Sequence, residues 1–238
     1  MTLEKNEGTV TGAGRRSGGS RLQSPRAWRR ASGRRTGGAG SPTSGLPAAR
    51  ARDLREICGL PTGAALHRAV PFLEGLVEDP ALLEGGMLPL LGEAADAENW
   101  YVARRHENED FSLQVFVWPA GTGTKVHDHS SWGVYRCVAG SLLEKRYARL
   151  DDGSRPDHAR LEKAWQRRWT PEDGASTVLP GDGGIHSMTN LGDETAVSIH
   201  LYGPRTAEID GRDYDPSRDY VCDRTEGSEE AEGQSRAA

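Results

Sequence analysis

A mainly β barrel or sandwich, preceded by a helical subdomain, is the fold this sequence predicts, and three observations predict it. From Trp100 onward, short runs rich in Val, Leu, Tyr and Trp are separated by Gly, Pro and Asp turns, as expected of antiparallel strands. Before that, from Pro47 to about Asp96, apolar residues recur at helical intervals. Outside both segments the ends of the 238-residue chain are polar, so a single domain with a proper core is expected between them.

Residues 1–45 carry nine Lys and Arg against two Asp and Glu, with abundant Gly and Ser. That composition cannot bury a core, and we read 1–45 as a disordered basic extension. Such an arm can bind nucleic acid or acidic surfaces, and an Arg- and Ser-rich, acid-poor start resembles an organelle transit peptide. The plainer reading is an unstructured extension or a start codon set too far upstream. The segment lacks the apolar pattern of a DNA-binding helix pair, which argues against a nucleic-acid partner.

Residues 46–98 form the helical subdomain. Leu54, Ile57 and Cys58, then Ala65, Val70, Leu73 and Val77, then Leu82, Leu83, Leu88 and Leu91 mark its apolar stripes. Pro61, Pro71, Pro80 and Pro89 are expected to divide it into several short helices, because proline starts helices and ends the preceding ones. Residues 99–205 form the barrel, with strands predicted over 111–118, 124–129, 133–139, 141–149, 175–179, 185–190 and 196–201. Spacing this regular suggests a sandwich or jelly-roll barrel. The polar stretch 152–173 carries Gly153, Pro156 and Pro171 and is expected to hold a long hairpin excursion. Residues 206–238 are acidic and polar, with no core residue after Tyr220 and Val221, and are read as a loosely ordered tail.

Composition excludes several classes. No stretch approaches the roughly 18 to 20 apolar residues of a membrane span, and the N-terminus lacks the apolar core of a secretory signal. Cys58, Cys137 and Cys222 are scattered and unpaired in spacing, which argues against a disulfide framework or a thiolate zinc site. A soluble cytoplasmic monomer without a membrane partner is expected. The net charge of −5 averages two tails of opposite sign and describes neither.

The chemistry concentrates in histidines. Residues i and i+2 of a strand share a face, so His127 and His129 of His-Asp-His can both aim into the barrel while Asp128 points away. A Gly-rich turn, Gly121 and Gly123, leads into that strand; further on, Pro180-Gly181-Asp182 turns the chain before His186, with Asn190 four residues later. The segments 121–140 and 174–190 resemble the two sequence motifs of the cupin superfamily. The resemblance implies a cupin double-stranded β-helix in which the three matching histidines bind one metal ion. The usual cupin motif adds a glutamate ligand, and Gly133 stands at its position here. The site would then be a neutral three-histidine face with open coordination positions, suited to Fe, Ni, Cu or Zn by ligand type.

On a strand, Ser198, His200 and Tyr202 share one face, and Ile199 and Leu201 pack on the other. Three polar groups can then form a hydrogen-bonded chain toward the metal. Over roughly residues 100–204 the sequence resembles cysteine dioxygenase and the related thiol dioxygenases, in Val126-His127-Asp128-His129, Ile185-His186 and Ser198-Ile199-His200-Leu201-Tyr202. That resemblance implies Fe(II), one per chain, held by His127, His129 and His186, with the Ser198, His200 and Tyr202 network beside it. It also implies a small thiol such as cysteine oxidised by O2 to its sulfinic acid.

Two departures bear on the substrate. The animal enzymes carry a cysteine cross-linked to the tyrosine near Gly133, a bond that glycine cannot form; Cys137 is read as a buried strand residue, and no cross-link is expected. The family's carboxylate-binding arginine lies two residues after a tyrosine, but Tyr101 is followed there by Ala103, with Arg104 and Arg105 adjacent. Either arginine could bind a substrate carboxylate after a one-residue shift. Relatives acting on 3-mercaptopropionate place a glutamine near this position, so a 3-mercaptopropionate-type dioxygenase stays open. So do another metal-dependent cupin oxygenase and a non-catalytic metal-binding cupin sensor.

Overall fold

The computed structural model describes residues 46–83, 87–93, 97–205 and 209–224. The basic extension over 1–45 and the chain beyond 224 lie outside the described residues.

Helix α1 (Ala48–Cys58) and helix α2 (Thr62–Val77) open the described chain, followed by two single turns, α3 (Pro80–Leu82) and α4 (Leu90–Glu93). Pro47 and Pro61 stand at the N-caps, and Pro80 opens α3 behind Asp79, whose carboxylate caps Ala81 N–H, the positions where a missing N–H costs nothing. Pro71 departs from expectation: it sits inside α2 and does not divide it. The helix runs through because Ala65, Ala69, Leu73, Leu76 and Val77 hold its buried stripe against the barrel, outweighing one lost backbone bond.

Eleven strands follow: β1 (Tyr101–Glu107), β2 (Ser112–Trp118), β3 (Val126–His127), β4 (Gly133–Ala139), β5 (Leu142–Arg149), β6 (Leu161–Trp169), β7 (Ser176–Val178), β8 (His186–Thr189), β9 (Ala196–Tyr202), β10 (Gly211–Asp215) and β11 (Tyr220–Arg224). They form two antiparallel sheets, ordered β1-β2-β9-β4-β7 and β11-β10-β3-β8-β5-β6. This two-sheet barrel with helices before it is the cupin architecture the sequence predicts. The polar stretch after residue 152 does hold the hairpin partner of β5, a nine-residue strand β6 that is exposed along most of its length.

The region read as a loose tail is corrected by the β10–β11 hairpin, which pairs with β3 through Asp213 and Tyr214. Its sequence hides the fact because, among the described residues there, only Tyr214 and Val221 are buried and apolar. The hairpin is held by polar bonds to Asp128 instead. That carboxylate accepts from Arg212 N and Nε at 2.6 and 2.8 Å and from Tyr214 OH at 2.7 Å.

Strand β9 shows how the core positions the site. Its outward residues Val197, Ile199 and Leu201 join Leu54, Leu73 and Leu76 of the helices in one buried cluster, worth about 1.5–3 kcal/mol per fully buried side chain. Its inward residues are then committed to the barrel interior. Across the sheet the inward rows read Ser112, Tyr202, Gly133 and Val178, then Gln114, His200, Tyr135 and Ser176, then Phe116, Ser198 and Cys137.

Candidate metal centre

His127, His129 and His186 are all buried, and their ligand atoms lie within 4.8 Å of one another. β3 supplies His127, whose register partner across the six-stranded sheet is His186 of β8. His129 lies just past the end of β3, on a segment held by Asp128 N to Arg212 O and by Gly181 N to His129 O. The expected strand over 124–129 thus shortens to two residues, while Asp128 still points away and ties the turn to β10.

Two of the three rings are oriented from behind. His127 Nδ1 lies 3.0 Å from Lys125 O, and His186 Nδ1 lies 3.0 Å from a Glu144 carboxylate oxygen. Both contacts leave Nε2 facing the centre, where His129 Nε2 stands 3.1 Å from His186 Nε2. Burial, reinforced by the neighbouring histidines and Arg224, holds His127 and His129 well below the ordinary imidazole range. Burial also lowers His186, against the pull of Glu144. Three neutral imidazoles with converging lone pairs fit a divalent transition metal.

Sequence reasoning missed Glu144. It is wholly buried and accepts hydrogen bonds from Tyr135, Arg146, Trp169 Nε1 at 2.8 Å and His186. Burial opposes its ionisation, but the bonds and charges of His186, Arg146 and Tyr135 prevail and hold it at about 2. A carboxylate behind a ligating histidine fixes the ring and raises its basicity. The signal lay in the alternation Leu142, Glu144, Arg146 on the inward face of β5, which needs the partners Trp169 and Tyr135 to be interpretable.

On the opposite sheet, Ser198 Oγ lies 2.8 Å from His200 Nε2, and His200 Nδ1 lies 3.0 Å from Tyr202 OH. The three residues predicted to form a chain therefore do so. Tyr202 stands beside His129 with ring centroids 5.0 Å apart. Gly133 makes room for it: a Cβ there would fall 2.9 Å from Tyr202 Cδ1 and 2.8 Å from Val178 Cγ1. Cys137 is buried, its thiol pushed up to about 12, chiefly by burial, and its S–H donates to Ala139 O.

A cleft of about 610 Å³ opens over His129 and Tyr202 and is lined by Arg105, Ser112, Gln114 and Arg205 among others. A bulge between Val102 and Arg104 resets the register of β1, so Arg105 lies opposite Gln114 and shares its inward row. Of the three residues proposed for the substrate, Arg105 therefore lines the cleft. Arg104 is exposed and donates to Ala103 O, and Tyr101 packs against the apolar cluster under the helices; neither lines the cleft. At its mouth Glu107 and Asp210 approach Arg205 at 3.6 and 3.4 Å.

A two-sheet barrel with a buried three-histidine face that could hold a metal ion, and a polar chain beside it, is a cupin barrel. Residues 96–216, just over half of the chain, match the family cysteine dioxygenase type I. The chain belongs to that family. Similar solved structures include a protein from Thermus thermophilus (19% identity, covering 48% of this chain and 94% of that one, TM-score 0.36) and a cupin superfamily protein from Desulfitobacterium hafniense (15%, 49% and 89%, 0.35). A recombinant oxalate oxidase in complex with glycolate is similar at 18% identity over 40% of this chain, with a TM-score of 0.31, and the match spans 42% of that chain. Among the described residues no helix is long and apolar enough to cross a membrane.

Proposed function

We propose that the protein is an iron(II)-dependent thiol dioxygenase that converts a small carboxylate-bearing thiol, R–SH, and O2 into the sulfinic acid R–SO2H. The observation that carries this reading is the joint presence of three converging neutral imidazoles and a Ser198, His200 and Tyr202 chain ending beside them, in a chain of the cysteine dioxygenase type I family. Iron(II), once bound, would supply open coordination positions and a dication that favours the thiolate over the thiol.

The chain's own residues do the rest. Arg105 reaches the cleft and offers a guanidinium fork to the substrate carboxylate. Tyr202 presents its hydroxyl at the floor, where a hydrogen bond steadies developing charge on the reacting atoms. Phe116 and Trp118 pack around His200, with ring centroids 4.4 and 6.4 Å away, and keep water from it. The reducing cytoplasm is the setting we infer, supported by free Cys58, Cys137 and Cys222, with the protein acting as a monomer.

A second substrate, 3-mercaptopropionate, is favoured by one observation: Gln114 lies in the cleft directly opposite Arg105. Oxygen consumption by the anaerobically iron(II)-loaded protein, offered cysteine, 3-mercaptopropionate and cysteamine in parallel with sulfinic acid identified by mass, tests both. Uptake with cysteine or 3-mercaptopropionate is expected, and Arg105→Ala should raise KM for that thiol about 10-fold or more while Arg104→Ala leaves it unchanged. No uptake with any thiol at one bound iron per chain would reject the dioxygenase in favour of a binding protein or another oxygenase.

A further inference from the structure

The hydrogen-bonded chain behind Tyr202 starts earlier than serine. Trp118 Nε1 donates to Ser198 Oγ at 2.8 Å, the same oxygen that lies 2.8 Å from His200 Nε2. Trp118, Ser198 and His200 are all buried, so their donors and acceptors must be matched among themselves. An indole N–H can only donate, a serine hydroxyl carries one hydrogen, and a neutral imidazole carries its hydrogen on either nitrogen. His200 is neutral over the working range, since burial lowers it to about 3.

Two arrangements are then open. In one, Ser198 accepts from Trp118 and donates to His200 Nε2. The imidazole hydrogen sits on Nδ1 and donates to Tyr202 OH, and every group in the chain is matched. In the other, His200 Nε2–H donates to Ser198, Nδ1 accepts from the phenol, and the serine hydrogen is left buried without an acceptor. An unmatched buried donor disfavours the second arrangement by roughly 5- to 150-fold.

We propose that Trp118 is a positioning residue that sets the direction of this whole chain, keeping the His200 hydrogen on Nδ1. The phenolic hydrogen of Tyr202 is thereby turned away from His200, toward the side on which Tyr202 meets His129 and the cleft. Without the indole donor the two arrangements become nearly equal, since one then leaves the serine oxygen accepting nothing and the other leaves the serine hydrogen unmatched. The consequence for turnover rests on the dioxygenase reading above; the direction of the hydrogen bonds does not.

Nitrogen-15 NMR of the histidine side chains in the metal-free full chain tests the proposal, with His200 assigned by its absence in His200→Gln. The native protein should show His200 protonated on Nδ1. Trp118→Phe, which keeps an aromatic ring against Trp100 and Phe116, should show both tautomers. In iron-loaded protein Trp118→Phe should lower kcat roughly two- to tenfold, and that loss should vanish in a Tyr202→Phe background. His200 protonated on Nε2 in the native chain overturns the proposal even where Trp118→Phe does not fold. So does an unchanged tautomer in Trp118→Phe, or the same kcat loss with Tyr202→Phe present. Absence of oxygen uptake would reject the dioxygenase and leave the tautomer result to decide this proposal alone.

Discussion

Each sheet delivers one hydrogen-bonded branch to the histidine centre, and the two branches differ in charge. From the six-stranded sheet, ionised Glu144, flanked by Arg146 and Trp169 and met by Tyr135 from the other sheet, backs His186. From the five-stranded sheet, Trp118, Ser198, His200 and Tyr202 form a chain with no formal charge. A buried carboxylate is tolerated where a cation will neutralise it; a neutral chain suits a hydroxyl whose hydrogen has to be aimed. We propose that the carboxylate branch serves to hold a metal and the neutral branch to orient a proton.

The largest break comes from the ligands. His186→Ala removes one of three Nε2 donors and also leaves Glu144 buried beside Arg146 without its histidine. Iron(II) or zinc binding, read by equilibrium dialysis, should fall from one per chain to none detectable. Retained stoichiometric binding would mean that the metal sits elsewhere.

Glu144→Gln is the next step down and separates the branches. The amide keeps the shape and can keep an oxygen toward His186, but its NH2 then meets the Trp169 N–H, and the negative charge that raises the basicity of the His186 ring is lost. Metal affinity, measured by chelator competition, should drop about 10- to 100-fold, with turnover at saturating metal changed far less. Ser198→Ala should do the reverse, leaving affinity within about twofold while lowering kcat.

Legibility in the sequence follows the same division. The inward alternation of Ser198, His200 and Tyr202 and the His-Asp-His pincer are local patterns, set by the two-residue period of a strand. β4 was legible for the same reason, at its observed bounds. Glu144, Trp118 and Gln114 were not, because each matters only through a partner across the sheet or the barrel. The arginine shift was half legible: sequence left Arg104 and Arg105 equal, and the bulge after Val102 separates them. β10 and β11 were missed because polar bonds to Asp128 hold them, and these leave no apolar period.

A smaller effect is expected from pH. Burial lowers His200 to about 3, with His186 adding and Glu144 opposing. Its folded value lies below the unfolded imidazole value of about 6.5, so the unfolded chain takes up the proton first. The stability this group contributes is fully present above about 6.5 and is lost as pH falls toward 3, at about 1.4 kcal/mol per unit. Denaturant midpoints of the metal-free protein between about pH 7 and 4 should fall accordingly, with the buried His127, His129 and His186 adding to the slope in the same direction, and His200→Gln should reduce that slope without abolishing it.

The smallest effect tests where the neutral branch ends. Cys137 occupies the same inward row as Ser198 and is the nearest thing in this chain to the cross-linking cysteine of the animal enzymes. Its thiol, however, is turned to the carbonyl oxygens of Ala139 and Gly140, and at about 12 it stays protonated, so it has neither the thiolate character nor the direction to reach Tyr202. Gly133, with no side chain, is the residue that faces the phenol ring. The intact mass of protein exposed to iron, thiol and oxygen should therefore equal that of the unmodified chain. Cys137→Ala should leave kcat within about twofold and cost about 1 kcal/mol of stability for the lost packing. A two-hydrogen mass loss that disappears in Cys137→Ala would show the thiol joined to the branch after all, and would make Tyr202 part of a covalent pair.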